Sequence, residues 1–505
     1  MDGWKSFQDW SHRGRLFETD FLVCDANSQA RFVRLITEAA ETICQALPKV
    51  PFAGKSPADL RQLVSAELFP RAPQTWDTIA ETMRTVIANS VFVGDPNTIA
   101  HLHCQPLLSA LAAEVVISAL NQSMDSFDQA PIATVIEQQM IQWLCREAGF
   151  SSSGGGTFTT GGSQSNYMGL LLARDACVNR HWDWSVQKMG LPPKARLLRI
   201  FCSDVAHFTV EKSAAQLGLG TEAVVRIEVD EHFRMKPPVL RESLHKAVAE
   251  GLRPMAVVAT AGTTDFGSVD PLREIADISH EWDAWLHVDA AYGGALLFSA
   301  QHRNKISGIE FADSITVDFH KLFWQPIPCS AFLLGEARHF ETIKLHADYL
   351  NPESHEEEGI PNLVTTSLLT SRRFDALKLW ISFQALGREK FGAMIDRTVA
   401  AAEHAANVIR GMTQLELVCK PQLSTVVFRY VPSKVWDANS FNFELRQALF
   451  NEGIAVVGHT RVRGMQWLKF TCMNPATSER QIGALIQAIV ERGKILEASK
   501  TADAE

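Results

Sequence analysis

The sequence of 505 residues has no run of about 18 apolar residues, so we expect no membrane-spanning segment. No apolar stretch follows Met1–Phe7, and we therefore expect no signal peptide. The formal net charge is −9 and no basic residues cluster, which argues against a nucleic-acid or anionic-membrane surface. No G-x-G-x-x-G follows a predicted strand, which argues against a nicotinamide-binding fold.

The sequence also has no C-x-x-C pair, although it has nine cysteines. An odd, dispersed set of cysteines is typical of reduced thiols in a cytoplasmic protein. His101 and His103 lie close together, but no Cys, His or carboxylate set around them has zinc-ligand spacing, so we expect no metal site. The cysteines are Cys24, Cys44, Cys104, Cys145, Cys177, Cys202, Cys329, Cys419 and Cys472.

The chain is too long for one small core, and we expect one large domain with smaller pieces on either side. Apolar residues at helical spacing in Ala30–Leu47 and a cap at Ser56 predict an N-terminal helical segment. The predicted pieces are a helical segment over 1–90, a large domain over 91–374, a small α+β domain over 375–495 and a frayed tail over 496–505. Residues 345–371 are acidic and broken by prolines, which predicts a mobile lid.

Between Leu197 and Leu334 short β-type runs alternate with helical patterns. This alternation predicts an α/β fold in which a mostly parallel sheet is covered by helices. The predicted strands are Leu197–Cys202, Ala223–Val229, Met255–Thr260, Trp285–Asp289, Ile315–Asp318 and Ala331–Leu334. In the C-terminal domain we expect strands at Leu415–Val418, Thr425–Tyr430, Ile454–Val457 and Gln466–Thr471, and helices at Phe391–Gly411, Phe441–Asn451 and Glu479–Gly493.

Three stretches carry groups that one cofactor needs. Lys321 follows the predicted strand Ile315–Asp318, and Asp289 ends another apolar strand. The Gly/Ser/Thr turn Thr157–Asn166, which comes after the flexible Ser151–Gly156, precedes a predicted helix whose first N–H groups can hold an anion. Pyridoxal 5'-phosphate (PLP) requires a lysine for a Schiff base, a carboxylate at the pyridine nitrogen and a phosphate site. The residues therefore predict a PLP site.

Several polar residues follow predicted strands directly. Ligands of parallel sheets bind at the carboxyl ends of the strands, where these residues meet at one edge. This convergence supports a single site better than any one residue does. The residues are His207, Thr263, Asp289, His320 and Lys321.

Taken in chain order, the motifs resemble those of the group II PLP-dependent amino acid decarboxylases. The motifs are Thr159-Thr-Gly-Gly-Ser-Gln-Ser-Asn166, His287-Val-Asp-Ala-Ala-Tyr-Gly-Gly294 and the pair His320-Lys321 after a strand. The resemblance covers roughly residues 90–480. It implies the fold-type I architecture of aspartate aminotransferase and a homodimer, or a higher oligomer, whose active sites lie between subunits.

The resemblance also implies residue roles. Lys321 would hold PLP in the Schiff base, Asp289 would pair with the pyridine N–H, and His207 would stack on the ring, so these three are the predicted catalytic residues. A protonated ring nitrogen makes the cofactor an electron sink for the carbanion left by departing CO2. The other predicted cofactor contacts are Gly162 and Ser163 at the phosphate, His320 beside it, and Thr263 and Ala291 along the ring.

Substrate choice follows from a second group of motifs, which resemble those of siderophore-type diamino acid decarboxylases. They include His101-Leu-His-Cys104, the stretch around Asp125 and Phe127, and Lys469-Phe-Thr-Cys-Met-Asn-Pro475. Aromatic decarboxylases have an aromatic residue at the place of Asp125. An acid there suggests a distal ammonium on the substrate, because a neutral substrate would leave the acid unpaired. We therefore expect lysine or 2,4-diaminobutyrate, with Asp125, His101 and Phe127 at the substrate.

The sequence leaves the proton donor open. Aromatic decarboxylases carry a lid tyrosine, and spacing back from Arg372 puts Leu363 at that place. His207, Lys321 or a partner-chain residue are the remaining candidates. Alternative activities are decarboxylation of glutamate or an aromatic amino acid, or aldehyde-forming oxidation. A cofactor-bound structural or regulatory protein is the alternative outside enzymes.

Overall fold

The computed structural model describes residues 20–64, 68–433 and 437–502. The stretch Met1–Phe7, on which the signal-peptide prediction depends, lies outside the described residues. The chain divides into two compact units. One contains the described residues up to Thr98 together with Gln447–Val456, and the other contains Ile99–Arg446 and the described residues from Val457 onward.

The first unit is helical, as predicted. Its helices are α1 (Ala26–Ala46), α2 (Pro57–Leu63) and α3 (Trp76–Ala88). Asp25 caps α1 by accepting hydrogen bonds from the N–H groups of Asn27 and Ser28. The predicted cap at Ser56 is confirmed, because Ser56 and Asp59 form a reciprocal capping box.

The second unit contains a seven-stranded sheet in the order β1-β7-β6-β5-β4-β2-β3. The neighbours from β6 to β3 are parallel, whereas β7 is antiparallel to both β6 and β1. The fold class is therefore confirmed, and Trp285–Asp289 has the predicted bounds. The strands are β1 (Gly155–Thr159), β2 (Leu198–Ser203), β3 (Val224–Ile227), β4 (Arg253–Thr260), β5 (Trp285–Asp289), β6 (Ser314–Asp318) and β7 (Ser330–Leu334).

Neighbouring residues of a strand point to opposite faces of the sheet, and helices cover both of these faces. Val258 of β4 belongs to a hydrophobic cluster with Leu172, whereas Val257 belongs to another with Leu244. The helices before the small domain are α4 (Leu108–Leu120), α5 (Pro131–Ala148), α6 (Gly162–Trp182), α7 (Val186–Met189), α8 (Thr209–Gln216), α9 (Pro237–Ala249), α10 (Leu272–Glu281) and α11 (Glu353–Glu357).

The C-terminal part forms a four-stranded antiparallel sheet in the order β10-β11-β9-β8. Its strands are β8 (Leu415–Leu417), β9 (Thr425–Tyr430), β10 (Gly458–Val462) and β11 (Met465–Thr471), and the helices are α12 (Ala376–Arg410), α13 (Ala438–Asn451) and α14 (Glu479–Ala502). Helix α12 is interrupted at Gly387, where φ is +69°. Both sheets lie within one compact unit, so the predicted boundary between 374 and 375 stays a prediction.

Three sequence predictions are wrong. Ile454–Val457 is not a strand, because the Ile454 N–H closes the end of α13 on Leu449 and only Val456 forms a single bridge, to Thr98. The tail after Ile495 is not frayed up to Ala502, since α14 continues and Lys500 pairs with Glu444 of α13.

The flexible stretch Ser151–Gly156 partly belongs to β1, whose glycines hid the strand. Gly156 lies so close to β7 that a Cβ there would be 2.3 Å from the Phe332 carbonyl oxygen. The predicted lid contains α11 and a short 3₁₀ turn at Leu363–Thr366. Among the described residues, no helix is both long and apolar enough to cross a membrane.

Candidate active site

The carboxyl ends of β2, β4, β5 and β6 and the first turn of α6 surround one cavity of about 240 Å³. It lies where ligands of parallel sheets bind. Most of the predicted cofactor contacts line it: Gly162, Ser163, His207, Asp289, Ala291, His320 and Lys321. Thr263 is buried beside it, with its Oγ1 accepting a hydrogen bond from the Ser268 N–H (3.0 Å), and its neighbours Gly262 and Thr264 line the wall.

The turn that precedes α6 is shaped for an anion. Gly161, with φ of +150°, ends the turn, and Gly162 and Ser163, the first two residues of α6, line the cavity. The first N–H groups of a helix have no partners within it and can hold an anion. A Cβ on Gly162 would lie 3.0 Å from Asp318 Oδ2 and 3.4 Å from the Ala291 Cβ. A side chain at 162 would therefore fill the space that a phosphate needs, and the glycine fits the predicted phosphate turn.

Asp289 presents a fixed carboxylate to the cavity. Its Oδ1 accepts a hydrogen bond from the Ala291 N–H (3.1 Å) and its Oδ2 accepts one from Asn166 Nδ2 (2.8 Å). The side chain is 6% exposed, so water does not compete freely for it. A buried, oriented carboxylate is what a protonated pyridine nitrogen requires.

A chain of hydrogen bonds fixes Asn166, the side chain that donates to Asp289. Thr316 Oγ1 donates to Asn166 Oδ1 (2.7 Å), and His287 Nε2 lies 3.0 Å from the same oxygen. His287 Nδ1 lies 2.8 Å from Ser314 Oγ, which already accepts from Trp285 Nε1 (2.9 Å). Because the Asn166 Oδ1 can only accept, His287 Nε2 carries the imidazole proton, and Nδ1 accepts a hydrogen bond from the Ser314 hydroxyl.

Burial explains the charge state of His287. It lowers the pKa of His287 to about 4, against the opposing field of Asp289. The imidazole is therefore neutral, with one donor and one acceptor nitrogen, which is what the two hydrogen bonds require. The roles of His287 and Asn166 were not predicted from the sequence, although His287 lies two residues before Asp289 on a strand and so shares its face.

His207 lines the cavity and lies in the loop between β2 and α8. Its Nδ1 is 2.8 Å from Thr209 Oγ1 at the start of α8. Burial lowers the pKa of His207, Asp289 opposes this shift, and Lys321 adds to it. A neutral imidazole held in this way fits the predicted stacking role.

Lys321 lies three residues after Asp318, the last residue of β6. Lys321 Nζ is 3.0 Å from Asp318 Oδ2, and His320 Nε2 is 3.6 Å from the same oxygen. Burial alone would raise the pKa of Asp318, but Lys321 and His320 outweigh it and hold the pKa below its usual range. From the sequence, Asp318 was predicted only as the end of a strand, and its contact with Lys321 was not predicted.

The predicted substrate residues do not line the cavity of the same subunit. Asp125 is buried, and its Oδ1 accepts a hydrogen bond from the Ser126 N–H (3.0 Å). The Phe127 N–H donates to Asn362 Oδ1 (3.0 Å) in the predicted lid. His101 has φ of +62° in a loop whose Cys104 Sγ donates to the Lys321 carbonyl oxygen (3.0 Å). Their roles stay predictions.

The fold and the cavity define the class of protein. A fold-type I sheet that presents a lysine, a buried carboxylate, a histidine and a glycine-lined turn at one edge is the architecture of a PLP-dependent enzyme. Among the described residues, no group of three or more His, Cys, Asp or Glu side chains is placed to hold a metal.

Comparison with known proteins gives the family. Residues 57–431 match the pyridoxal-dependent decarboxylase conserved domain. The L-2,4-diaminobutyrate decarboxylase of Acinetobacter baumannii is 39% identical over 489 residues, covering 94% of this chain and 96% of that protein. That of Rhizobium meliloti (strain 1021) is 42% identical over 420 residues, covering 83% and 82%.

A solved structure agrees. It is the glutamate decarboxylase domain of diaminobutyrate-pyruvate transaminase and L-2,4-diaminobutyrate decarboxylase from Vibrio parahaemolyticus, which superposes with a TM-score of 0.88 at 39% identity and covers 95% of this chain and 99% of that chain. The chain belongs to the pyridoxal-dependent decarboxylases of group II. It is a PLP-dependent carboxy-lyase, as the resemblance implied.

Proposed function

We propose that the enzyme decarboxylates L-2,4-diaminobutyrate to 1,3-diaminopropane and CO2. The observation that carries the proposal is the 39% identity to the Acinetobacter baumannii diaminobutyrate decarboxylase, because it extends over 94% of this chain. Lysine, the other diamino acid that the sequence left open, belongs in the substrate panel. Supply of a diamine for siderophore assembly and a cytoplasmic location remain parts of this proposal that rest on the resemblance and the free cysteines.

The cavity residues have complementary tasks. Lys321, Asp289, His207 and the turn at Gly162 would hold PLP, whose protonated ring takes up the electron pair left by departing CO2. Asp289 keeps its negative charge aimed at one point through its two hydrogen bonds. A fixed charge of this kind stabilises the transition state without the cost of reorientation.

Asp125 is the proposed selector of the distal ammonium. It is 5% exposed and accepts one backbone hydrogen bond, so an ammonium group placed beside it would gain a desolvated partner. A neutral side chain in that place would leave the acid unpaired, at a cost of about 1–3 kcal/mol or more.

Asp125 does not line the cavity described above, and we infer that it serves the cavity of a neighbouring subunit in a homodimer. The loop with Asp125 connects α4 to α5, and both helices expose apolar side chains next to it. Leu120 is 61% exposed and Ile132 63%. Exposed apolar side chains at both ends of one loop are typical of an interface, so we infer that a second copy of the chain covers them.

Tyr349 is our proposed proton donor. Spacing back from Arg372 puts Leu363 at the place of the lid tyrosine, but Tyr349 lies on the same predicted lid. Leu363 is 7% exposed in the core, whereas Tyr349 is 90% exposed. An exposed phenol on a lid can enter the cavity when the lid closes. Tyr349→Phe should lower amine formation by about 10²–10⁴-fold, measured together with CO2 and hydrogen peroxide to detect an aldehyde-forming reaction.

The test of the main proposal is CO2 release from L-2,4-diaminobutyrate, lysine, ornithine, glutamate and tyrosine with added PLP. Diaminobutyrate should have the highest kcat/KM. A higher value for glutamate or tyrosine would contradict the proposal. Asp125→Ala should reduce the preference for diaminobutyrate over tyrosine by about tenfold or more. Asp128→Ala is the matched control, because Asp128 is an exposed acid on the same loop.

A further inference from the structure

Asp318 is a buried acid that touches the reactive lysine. Its side chain is 4% exposed, and its Oδ2 lies 3.0 Å from Lys321 Nζ. Its Oδ1 accepts a hydrogen bond from Ser330 Oγ on β7 (2.6 Å). A salt bridge with a carboxylate favours the ammonium form of a lysine, and an ammonium has no free electron pair with which to attack an aldehyde.

The same carboxylate lies directly against the turn proposed for the phosphate. A Cβ on Gly162 would be 3.0 Å from Oδ2 and 3.1 Å from Oδ1. A phosphate at that turn would bring a negative charge next to a buried negative charge, which favours the protonated form of the acid. Lys321 holds the nearest available proton.

We propose that a phosphate group bound at the Gly161–Ser163 turn drives the transfer of a proton from Lys321 to Asp318, which frees the amine. An N–H bond of Lys321 breaks and an O–H bond of Asp318 forms, so no proton is exchanged with solvent. The neutral amine can then condense with the aldehyde, and water leaves. This inference rests on the proposed assignment of Lys321 and the turn to the cofactor.

Other charged or titratable groups also face Asp318. His320 and Lys321 are on its own loop, His207 comes from the end of β2, and the Cys329 thiol precedes β7. His320 Nδ1 is 2.9 Å from the Cys329 carbonyl oxygen and its Nε2 is 3.6 Å from Asp318, so it is the competing proton acceptor. The 3.0 Å contact of Asp318 with Nζ makes the acid the direct acceptor.

The experiment separates the phosphate from the aldehyde. Cofactor-free, full-length enzyme is mixed with pyridoxal, which has no phosphate, in the presence of inorganic phosphate or of sodium chloride at equal ionic strength. The rate at which the visible absorbance of the carbon–nitrogen double bond appears is measured, and borohydride reduction followed by peptide mass analysis identifies the modified lysine. We expect phosphate to accelerate the modification of Lys321 by about tenfold or more.

Two variants test whether Asp318 is the acceptor. Asp318→Asn keeps the shape of the side chain but cannot accept the proton, so phosphate should no longer accelerate the reaction. His320→Gln removes a predicted neighbour of the phosphate, so it is tested at saturating phosphate, where it should keep the acceleration. Asp318→Ser is a second variant without the acid, and circular dichroism checks that it folds. An absence of acceleration in the natural enzyme overturns the inference by itself.

The outcomes also distinguish the inference from the proposed site. If PLP modifies Lys321 but phosphate leaves the pyridoxal rate unchanged, or accelerates Asp318→Asn equally, the inference is wrong and the site stands. If acceleration is lost in His320→Gln and kept in Asp318→Asn, His320 is the acceptor and the inference is wrong. If neither PLP nor pyridoxal modifies Lys321, the proposed site itself is wrong.

Discussion

His287 should make the stability of the enzyme depend on pH. The structure lowers the pKa of His287 from 6.5 to about 4 because the imidazole is fully buried. Above pH 6.5 the histidine is neutral in both the folded and the unfolded chain. As pH falls below 6.5, the unfolded chain binds a proton that the folded chain refuses, so stability is lost until the pH reaches about 4.

The magnitude follows from the size of the shift. Each unit of pKa difference corresponds to about 1.4 kcal/mol, so the contribution lost over the whole window is about 3 kcal/mol. Near pH 5 the loss is about 2 kcal/mol. His287→Gln cannot titrate in this range and should not show this part of the pH dependence.

Urea unfolding of the natural enzyme and of His287→Gln, near pH 7.5 and near pH 5, measures the effect. Near neutral pH the variant should be less stable by about 1–3 kcal/mol, because it disturbs the hydrogen bonds to Asn166 and Ser314. On acidification the natural enzyme should lose about 2 kcal/mol more than the variant. His404→Gln, on α12, is the control. Equal losses in the natural enzyme and His287→Gln would refute the assignment of a neutral, buried His287.

Two further predictions concern the turn and the core. Gly162→Ala should weaken PLP binding by about tenfold, measured by absorbance titration, because the new Cβ would lie only 3.0 Å from Asp318. Gly483→Ala is the control and should bind PLP normally, because a Cβ there would meet no atom within 4 Å. Arg372→Met should lower the free energy of unfolding by about 3–5 kcal/mol, because it leaves buried Glu137 without its two-pronged partner. Adding Glu137→Met should recover most of that loss in urea unfolding, and an undiminished loss in the double variant would contradict the account.

Strand periodicity predicted the central sheet well. Strands β5 and β6 are buried throughout and each ends in an aspartate, so both their existence and the edge where Asp289 and Lys321 meet followed from the sequence. β1 was missed because its glycines are selected by close approach to β7 rather than by strand propensity. In β1, close packing against β7 therefore outweighs the low strand propensity of glycine.

The supporting residues of the site were harder to predict, since their roles depend on contacts across the fold. Asn166 reaches Asp289 over 123 residues of sequence, and no local pattern marks that pairing. Asp318 resembled any polar strand end until its distances to Lys321 and Gly162 were known. The sequence thus indicates the reactive side chains, whereas the side chains that orient them can be identified only from contacts in the folded structure.

The hydrogen bonds between the Asp125 loop and the predicted lid have a consequence for engineering. The Val364 N–H donates to the Asp125 carbonyl oxygen (3.1 Å), and the Met124 N–H donates to that of Arg372 (3.0 Å). The loop proposed to recognise the substrate and the predicted lid are therefore joined by backbone hydrogen bonds. A chimera that takes residues 121–130 from one parent and 359–372 from another would break these bonds, so retargeting the enzyme calls for grafting both segments together.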